Sequence, residues 1–256
     1  ALHAATATGK PLTPCFIRAD ESPRQGRPRG ASRWWLHHSL VALAQQLDRL
    51  GTPLLLRHGP ANRELSRLVE ETGAAVYGPH DPRIPGQTGS FAEGETLDLP
   101  GLDLTFDVLE IPGHTSSHIA FYGHGCLLCG DTLFSVGCGR LFEGTPEQMQ
   151  NSLDKLAALP DETNVFCAHE YTLSNCDFAL QVEPDNPELL RRVSEVEACR
   201  STGRITLPST IGEEKAVNPF MRTREPGVVA AARARDADAQ PGASTLAVIR
   251  GWKDSF

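Results

Sequence analysis

Between residues 104 and 171 the chain carries four strand-like segments, "LTFDVLEI", "IAFYG", "GCLLCGD" and "TNVFCAHEY", the first three separated only by short loops. In the first, Leu104, Phe106 and Val108 fall on one side, the period of two expected of a half-buried strand. A block of this kind predicts a sheet. Three of its segments end by releasing a polar side chain: His114 after "LEIPG", Asp131 after "CLLCG" and His169 after "NVFCA". Imidazole and carboxylate at neighbouring strand ends suit Zn²⁺, which accepts nitrogen and oxygen ligands at about 2 Å. An aspartate shared between two cations would also offset their mutual repulsion. Taken singly, the three also read as a loop histidine, a turn aspartate and a strand-end histidine with ordinary hydrogen bonds.

The grammar on either side of this block differs. Up to about residue 75 short strands alternate with helices. "PLTPCFI" and "PLLLR" read as strands, with the polar loop "RADESPRQGRPRG" after the first. Ser32 is placed to cap a helix whose Leu36, Leu40, Leu43, Leu47 and Leu50 recur at three and four residues, with Gly51 as its stop. A second helix lies between the candidate cap Asn62 and Gly73. This alternation favours an α/β layer with a parallel sheet. Within the strand block, Thr145 caps a helix with Pro146 at its first position and Met149, Leu153 and Leu156 on one face. After residue 171 no strand is expected; Asn186-Pro187 opens a helix and the remainder reads as loop and helix.

With a net charge of −8, the chain is not built for broad capture of nucleic acid or an anionic membrane. No apolar run approaches the length that spans a bilayer. Seven cysteines at irregular spacing do not form a disulfide framework, and a reduced cytoplasmic setting is expected. Cys126 and Cys129 in "CLLC" have redox or zinc spacing, but on a strand an offset of three sends them to opposite faces, as two small hydrophobes. The sequence opens on Ala1 inside what reads as a helix, so it is expected to lack its natural start.

Read together, "PGHTSSHIAFY", "GDTLFSVGCGRLFEGTPEQMQNSL" and "CAHEYTLSN" resemble the glyoxalase II family, the hydroxyacylglutathione hydrolases of the metallo-β-lactamase fold. The resemblance runs over about residues 76 to 256, through "EPDNPEL", "LPSTIGEEKAVNPFMR" and "IRGWKDSF". It implies a binuclear zinc centre that hydrolyses the thioester S-lactoylglutathione to lactate and glutathione. By resemblance His114 ligates one metal, His169 the other, and Asp131 bridges them. His118 is not a ligand and takes a hydrogen-bonding structural role. Arg140, Phe142, Tyr171, Arg250 and Lys253 sit where the family contacts glutathione, whose two carboxylates suit Arg and Lys. Taken alone, Arg250 and Lys253 would be solvated surface charges.

The family's first metal motif, Thr-His-x-His-x-Asp-His, supplies two ligands to each metal and is missing here. His37 and His38 sit in the leucine-spaced helix, where they project about 100° apart; one is expected inside beside Leu40 and Leu43, the other nearer solvent. His58 follows a strand and precedes a helix, about where the motif would be. The first 75 residues instead resemble the N-terminal α/β domain of DNA photolyases and cryptochromes, in "ALHAATATGKPLTPCFI", "GASRWWLHHSLVALAQQL" and "LLLRHGPANRELSRLVEETGAA". That domain's first strand and the family's flavin-holding helical domain are not present, and the join falls near "ETGAAVYGP".

The expected fold is therefore α/β: an incomplete metallo-β-lactamase-like αββα sandwich, with the photolyase-like fragment at 1–75, the hydrolase part at 76–171 and a helical substrate-binding region at 172–256. Two zinc ions serve the family; one or none is expected here. The expected partner is a small glutathione thioester, with no nucleic acid or membrane, for a cytoplasmic monomer. Three functions stay open: a thioesterase with impaired turnover, an inactive fusion product retaining glutathione-like anion binding, and a photolyase-type chromophore-binding fragment. The acidic charge and missing flavin domain weigh against the third.

Overall fold

The computed structural model describes residues 13–18, 30–99 and 103–256. The expected helix at the start of the chain and most of the loop "RADESPRQGRPRG" lie outside these residues. The chain divides into two compact units, Ala1–Ser90 with Leu99–Leu104, and Phe91–Asp98 with Thr105–Phe256.

In the first unit, β1 (Cys15–Arg18) pairs in parallel with β2 (Leu55–His58), in register from Cys15↔Leu55 to Arg18↔His58. A parallel pair needs a long crossover, and helix α1 (Gly30–Arg49) supplies it. The helix begins two residues before Ser32, so Ser32 is not its cap. Both His37 and His38 are exposed, as is Leu43, which corrects the expectation that one histidine faces inward. Among the described side chains of α1 the buried one falls further along, at Leu47. Helix α2 (Ala61–Thr72) starts behind Pro60, with Asn62 inside its first turn rather than at its cap; the Asn62 side-chain oxygen accepts from the Arg63 N–H. It stops at Gly73 as expected, in the left-handed conformation with its N–H donating to Val69 O. Two short strands follow, β3 (Tyr77–Pro79) and β4 (Gly89–Phe91), paired with each other.

The second unit is built on a six-stranded mixed sheet, in the order β12-β11-β8-β7-β6-β5. Its strands are β5 (Thr96–Leu99), β6 (Leu104–Glu110), β7 (Ile119–Gly123), β8 (Cys126–Gly130), β11 (Asn164–Cys167) and β12 (Ser209–Thr210). Alternation in β6 does its expected work: Val108 is buried, Leu104 and Phe106 half-buried, and Thr105 and Asp107 exposed. In β8, Leu127 and Cys129 point to the core and Cys126 to the other face; burial pushes the Cys129 thiol well up, so it is an unreactive hydrophobe. Strands β8 and β11 are parallel. The chain between them forms a two-residue hairpin, β9 (Leu133–Phe134) and β10 (Gly137–Cys138), and helix α3 (Pro146–Ala157). Thr145 caps α3 in a reciprocal box with Gln148.

Helices α4 (Thr172–Val182), α5 (Pro187–Ser201), α6 (Ile211–Val217), α7 (Pro226–Arg233) and α8 (Ala243–Asp254) complete the unit. Asn186 caps α5, accepting from the N–H groups of Glu188 and Leu189. Strand β12 corrects the expectation of no strand after residue 171. It pairs Ser209 with Val165 and Thr210 with Asn164, an edge too short to leave a pattern in sequence. One core joins sheet and helices through Leu127, Val165, Leu153, Phe178, Phe220 and Leu246. Each such side chain contributes roughly 1.5–3 kcal/mol when fully buried. This is a mixed α/β fold with the helical C-terminal region expected.

Candidate functional site

The ends of β6, β8 and β11 are tied together by backbone bonds. Ala168 N–H donates to Gly130 O, and the Thr132 hydroxyl donates to Ile111 O. A register shift between Phe166 and Cys167 sets Cys167 opposite Gly130 and skips Cys129, an irregularity of the sort that re-aims side chains at a strand end. These ties gather the three candidate ligands at one edge of the sheet.

His169 Nε2 lies 3.3 Å from Asp131 Oδ1. His114 stands beside them across Gly139: a Cβ built there would lie 2.0 Å from the Asp131 carbonyl oxygen and 3.1 Å from His114 Nδ1, so only glycine permits the approach. His114 Nδ1 is 2.8 Å from Arg140 O. When Nδ1 carries the proton it donates to that carbonyl and leaves Nε2 as an open lone pair. Glu143 holds the loop of His114, its Oε2 accepting from both the N–H and the hydroxyl of Ser116 at 2.9 Å.

His118 has the structural place expected of it. Its Nε2 accepts from the backbone N–H of Asp131 at 3.2 Å, and its Nδ1 is 3.1 Å from Ile119 O. Burial is the main cause that lowers its pKa, so the neutral ring with Nδ1 protonated fits both bonds. The ring also packs on Gly130, where a Cβ would meet His118 Cε1 at 2.6 Å and φ is +52°.

Around this edge the aromatic candidates are open to solvent. Phe142 is 68% exposed, its ring 4.8 Å from that of His114. Tyr171 is 49% exposed and stacks on His169 at 5.0 Å. Arg140 is exposed, 3.2 Å from Asp254. Arg250 and Lys253 do not resemble the solvated charges that isolated sequence reading makes of them. Arg250 is 4% exposed and donates to Cys138 O at 2.9 Å and Asp254 Oδ1 at 3.1 Å. Lys253 donates to Asn175 Oδ1, and burial pulls its pKa down to about 8. His58 is the last, exposed residue of β2 in the first unit.

The donor set can be tested against zinc. A catalytic zinc takes three protein ligands and a water. Among the described residues no three His, Cys, Asp or Glu side chains are gathered to hold a metal ion. The pair Asp131–His169 is close, and His114 is a neighbour rather than a third member. The described residues do not fit a complete zinc site.

Two regions of the chain match known families. Residues 170–256 match the hydroxyacylglutathione hydrolase C-terminus, and residues 1–82 match DNA photolyase. The hydroxyacylglutathione hydrolase of Nitrosomonas europaea is 49% identical over 213 residues, covering 83% of this chain and 81% of its own length. That of Cupriavidus taiwanensis is 52% identical over 186 residues, 71% of this chain and 70% of its own. The chain belongs to the hydroxyacylglutathione hydrolase family. The Nitrosomonas alignment is longer than the segment 76–256, so the hydroxyacylglutathione hydrolase likeness runs back into the first section, which the photolyase match also covers. Among solved structures, ETHE1 from Myxococcus xanthus aligns with 94% of this chain and 88% of its own, at a TM-score of 0.49 and 21% identity. Members of the hydroxyacylglutathione hydrolase family generally depend on zinc.

Sequence reading missed Glu143, whose acid side chain after "RLF" gives no periodic signal. It also missed Glu170, which accepts from the Thr206 N–H and hydroxyl at 3.0 Å and thereby ties the chain after His169 to the loop before β12. Both act across 27 or more residues of sequence.

Proposed function

We propose that this chain is a hydroxyacylglutathione hydrolase-type thioesterase, acting on S-lactoylglutathione to give lactate and glutathione, with impaired turnover. The observation that carries the reading is the convergence of Asp131 and His169 at 3.3 Å beside His114. In this reading Asp131 is the central catalytic carboxylate and, with His114 and His169, the remnant of the family's metal set. The family's zinc would polarise the thioester carbonyl and supply an activated water; the described residues do not complete its site, so the steps here are carried by the chain's own groups. Water adds to the thioester carbon, the C–S bond breaks, and the thiolate leaves as glutathione. With no metal on it, the His169 imidazole, held beside Asp131, takes the proton of that water and returns it to the departing thiolate. Phe142 and Tyr171 flank the site with exposed aromatic faces for the acyl and thiol portions. Arg140 supplies an exposed positive charge for the glutathione carboxylates, and the buried Arg250 and half-buried Lys253 add to the positive field from beneath.

The reading keeps the division into a photolyase-like fragment at 1–75, a hydrolase part at 76–171 and a helical substrate-binding region at 172–256, in a monomer. The missing His-x-His-x-Asp-His motif is the reason for slow turnover, and the match of residues 1–82 to DNA photolyase supports its replacement by another family's α/β unit. The test is thioester loss followed with purified chain and zinc in excess, beside Asp131→Ala and His169→Ala. Slow hydrolysis that both variants remove supports the reading. Hydrolysis that neither variant alters defeats it, and glutathione binding by calorimetry without any hydrolysis favours an inactive fusion product.

A further inference from the structure

The hairpin β9–β10 lies between Asp131 and Arg140, whose carbonyl receives His114. It is buried along its length, including its turn residues Ser135 and Val136. Val136 has φ of +60°, a conformation that a β-branched residue adopts only when its surroundings impose it. A buried turn leaves backbone groups without water, so each needs a protein partner. Those partners come from the C-terminal helices. Glu214 Oε2 accepts from the Val136 N–H at 2.8 Å. Asn218 Nδ2 donates to Phe134 O at 3.3 Å, Gly137 O at 3.0 Å and Glu214 Oε2 at 2.9 Å. Asn175 Nδ2 donates to Ser135 O at 2.9 Å, and Arg250 reaches Cys138 O.

We infer that Glu214 and Asn218, on and beside α6, are positioning residues that hold the β9–β10 hairpin and through it set Asp131 and the carbonyl that orients His114. Both side chains are wholly buried, and they hydrogen-bond to the hairpin and to each other. They sit 78 to 84 residues from the atoms they hold, so the arrangement couples the C-terminal helices to the sheet edge. Burial keeps the Glu214 carboxyl above the usual carboxylate range. Its Oε1 has no hydrogen-bond partner among the described residues, and the Ser209 hydroxyl, also without one, is close enough to influence the carboxyl. A neutral group able to accept from Val136 N–H and face Ser209 therefore does the same work, and glutamine is such a group.

The inference rests on the assignment of Asp131 and His114 to the site. Its test reads their placement without turnover: histidine side-chain and backbone amide NMR spectra of the full chain, with amide exchange. Glu214→Gln should leave the His114 ring signals and the Asp131 amide in place. Glu214→Ala and Asn218→Ala should move them and speed exchange at Asp131 and Val136 by roughly five- to tenfold, the equivalent of one lost hydrogen bond. Val108, in β6, should keep its protection. Where those variants do not fold, Asn175→Ala, which removes only the bond to Ser135 O and the partner of Lys253, carries the same comparison. Folded alanine variants with unmoved His114 and Asp131 signals overturn the inference, as does Glu214→Gln acting like Glu214→Ala. Loss of folding in all three alanine variants also overturns it, because the network then supports the whole unit rather than the site. A chain that shows the expected spectra but hydrolyses no thioester defeats the proposed function and leaves this inference standing.

Discussion

Helix α1 in the first unit and helix α3 in the second both carry hydrophobic residues at three- and four-residue spacing, and they are packed very differently. In α3, Met149, Leu153 and Leu156 are fully or almost fully buried against the sheet and α8. In α1, Val41 and Leu43 are exposed and Leu47 is buried. Periodicity establishes that a helix has an apolar face; only a packed partner turns that face into stability. The second unit has such partners throughout its sheet and helices, and its site rests on them.

The largest expected contrast comes from truncating one leucine in each helix. Leu153→Ala should cost about 3 kcal/mol, and Leu43→Ala no more than about 0.5 kcal/mol. Guanidinium unfolding followed by fluorescence reads this: Trp34 and Trp35 lie in the first unit's helix and Trp252 in α8. Equal losses would show that α1 has a packed face after all. A smaller effect concerns the ion pair of Arg222 and Glu183, bonded at 2.8 and 3.1 Å with Glu183 almost buried. Arg222→Ala should cost on the order of 2 kcal/mol by stranding the carboxylate, and Arg222→Met with Glu183→Leu should recover most of it. A double variant no better than the single would remove that explanation.

Smaller still is a pH effect at Lys253. Burial lowers its pKa to about 8 from 10.5, so the folded chain sheds this proton before the unfolded chain does. The unfavourable contribution is complete below pH 8 and is relieved as pH climbs from about 8 toward 10.5. Stability therefore rises with pH in that window, and between pH 8 and 9 Lys253→Met should flatten the rise by about 1 kcal/mol. An unchanged profile in the variant would show that Lys253 keeps its proton in the fold. The last contrast is in caps: Thr145 bonds the first turn of α3, whereas α2 has Pro60 and no side-chain cap. Thr145→Ala should lower stability by about 1 kcal/mol, while Asn62→Ala should change it by less than about 0.5 kcal/mol, both read by thermal melting.

The strand ends at His114, Asp131 and His169, the alternation in β6 and the cap at Thr145 were legible because each is written within a dozen residues. The inward turn of Arg250 was not. It depends on Cys138 O, 112 residues away, and a basic residue on a terminal helix carries no mark of what it will meet. The same holds for Glu214 and Asn218. Their four-residue spacing in "EEKAVNPF" shows that they share a helix face, but not that the face meets a buried hairpin. The orientation of His37 and His38 failed for the opposite reason: local spacing was clear, but both side chains are exposed among the described residues.

The central claim is that this chain has the edge of a hydroxyacylglutathione hydrolase site without the motif that makes such a site fast. The direct measurement is kcat for S-lactoylglutathione with zinc in excess, on wild type and Asp131→Ala. The account predicts turnover well below the roughly 10 s⁻¹ typical of enzymes, and its loss in the variant. Wild-type turnover at or above that rate would contradict it, because the missing ligands would then not matter.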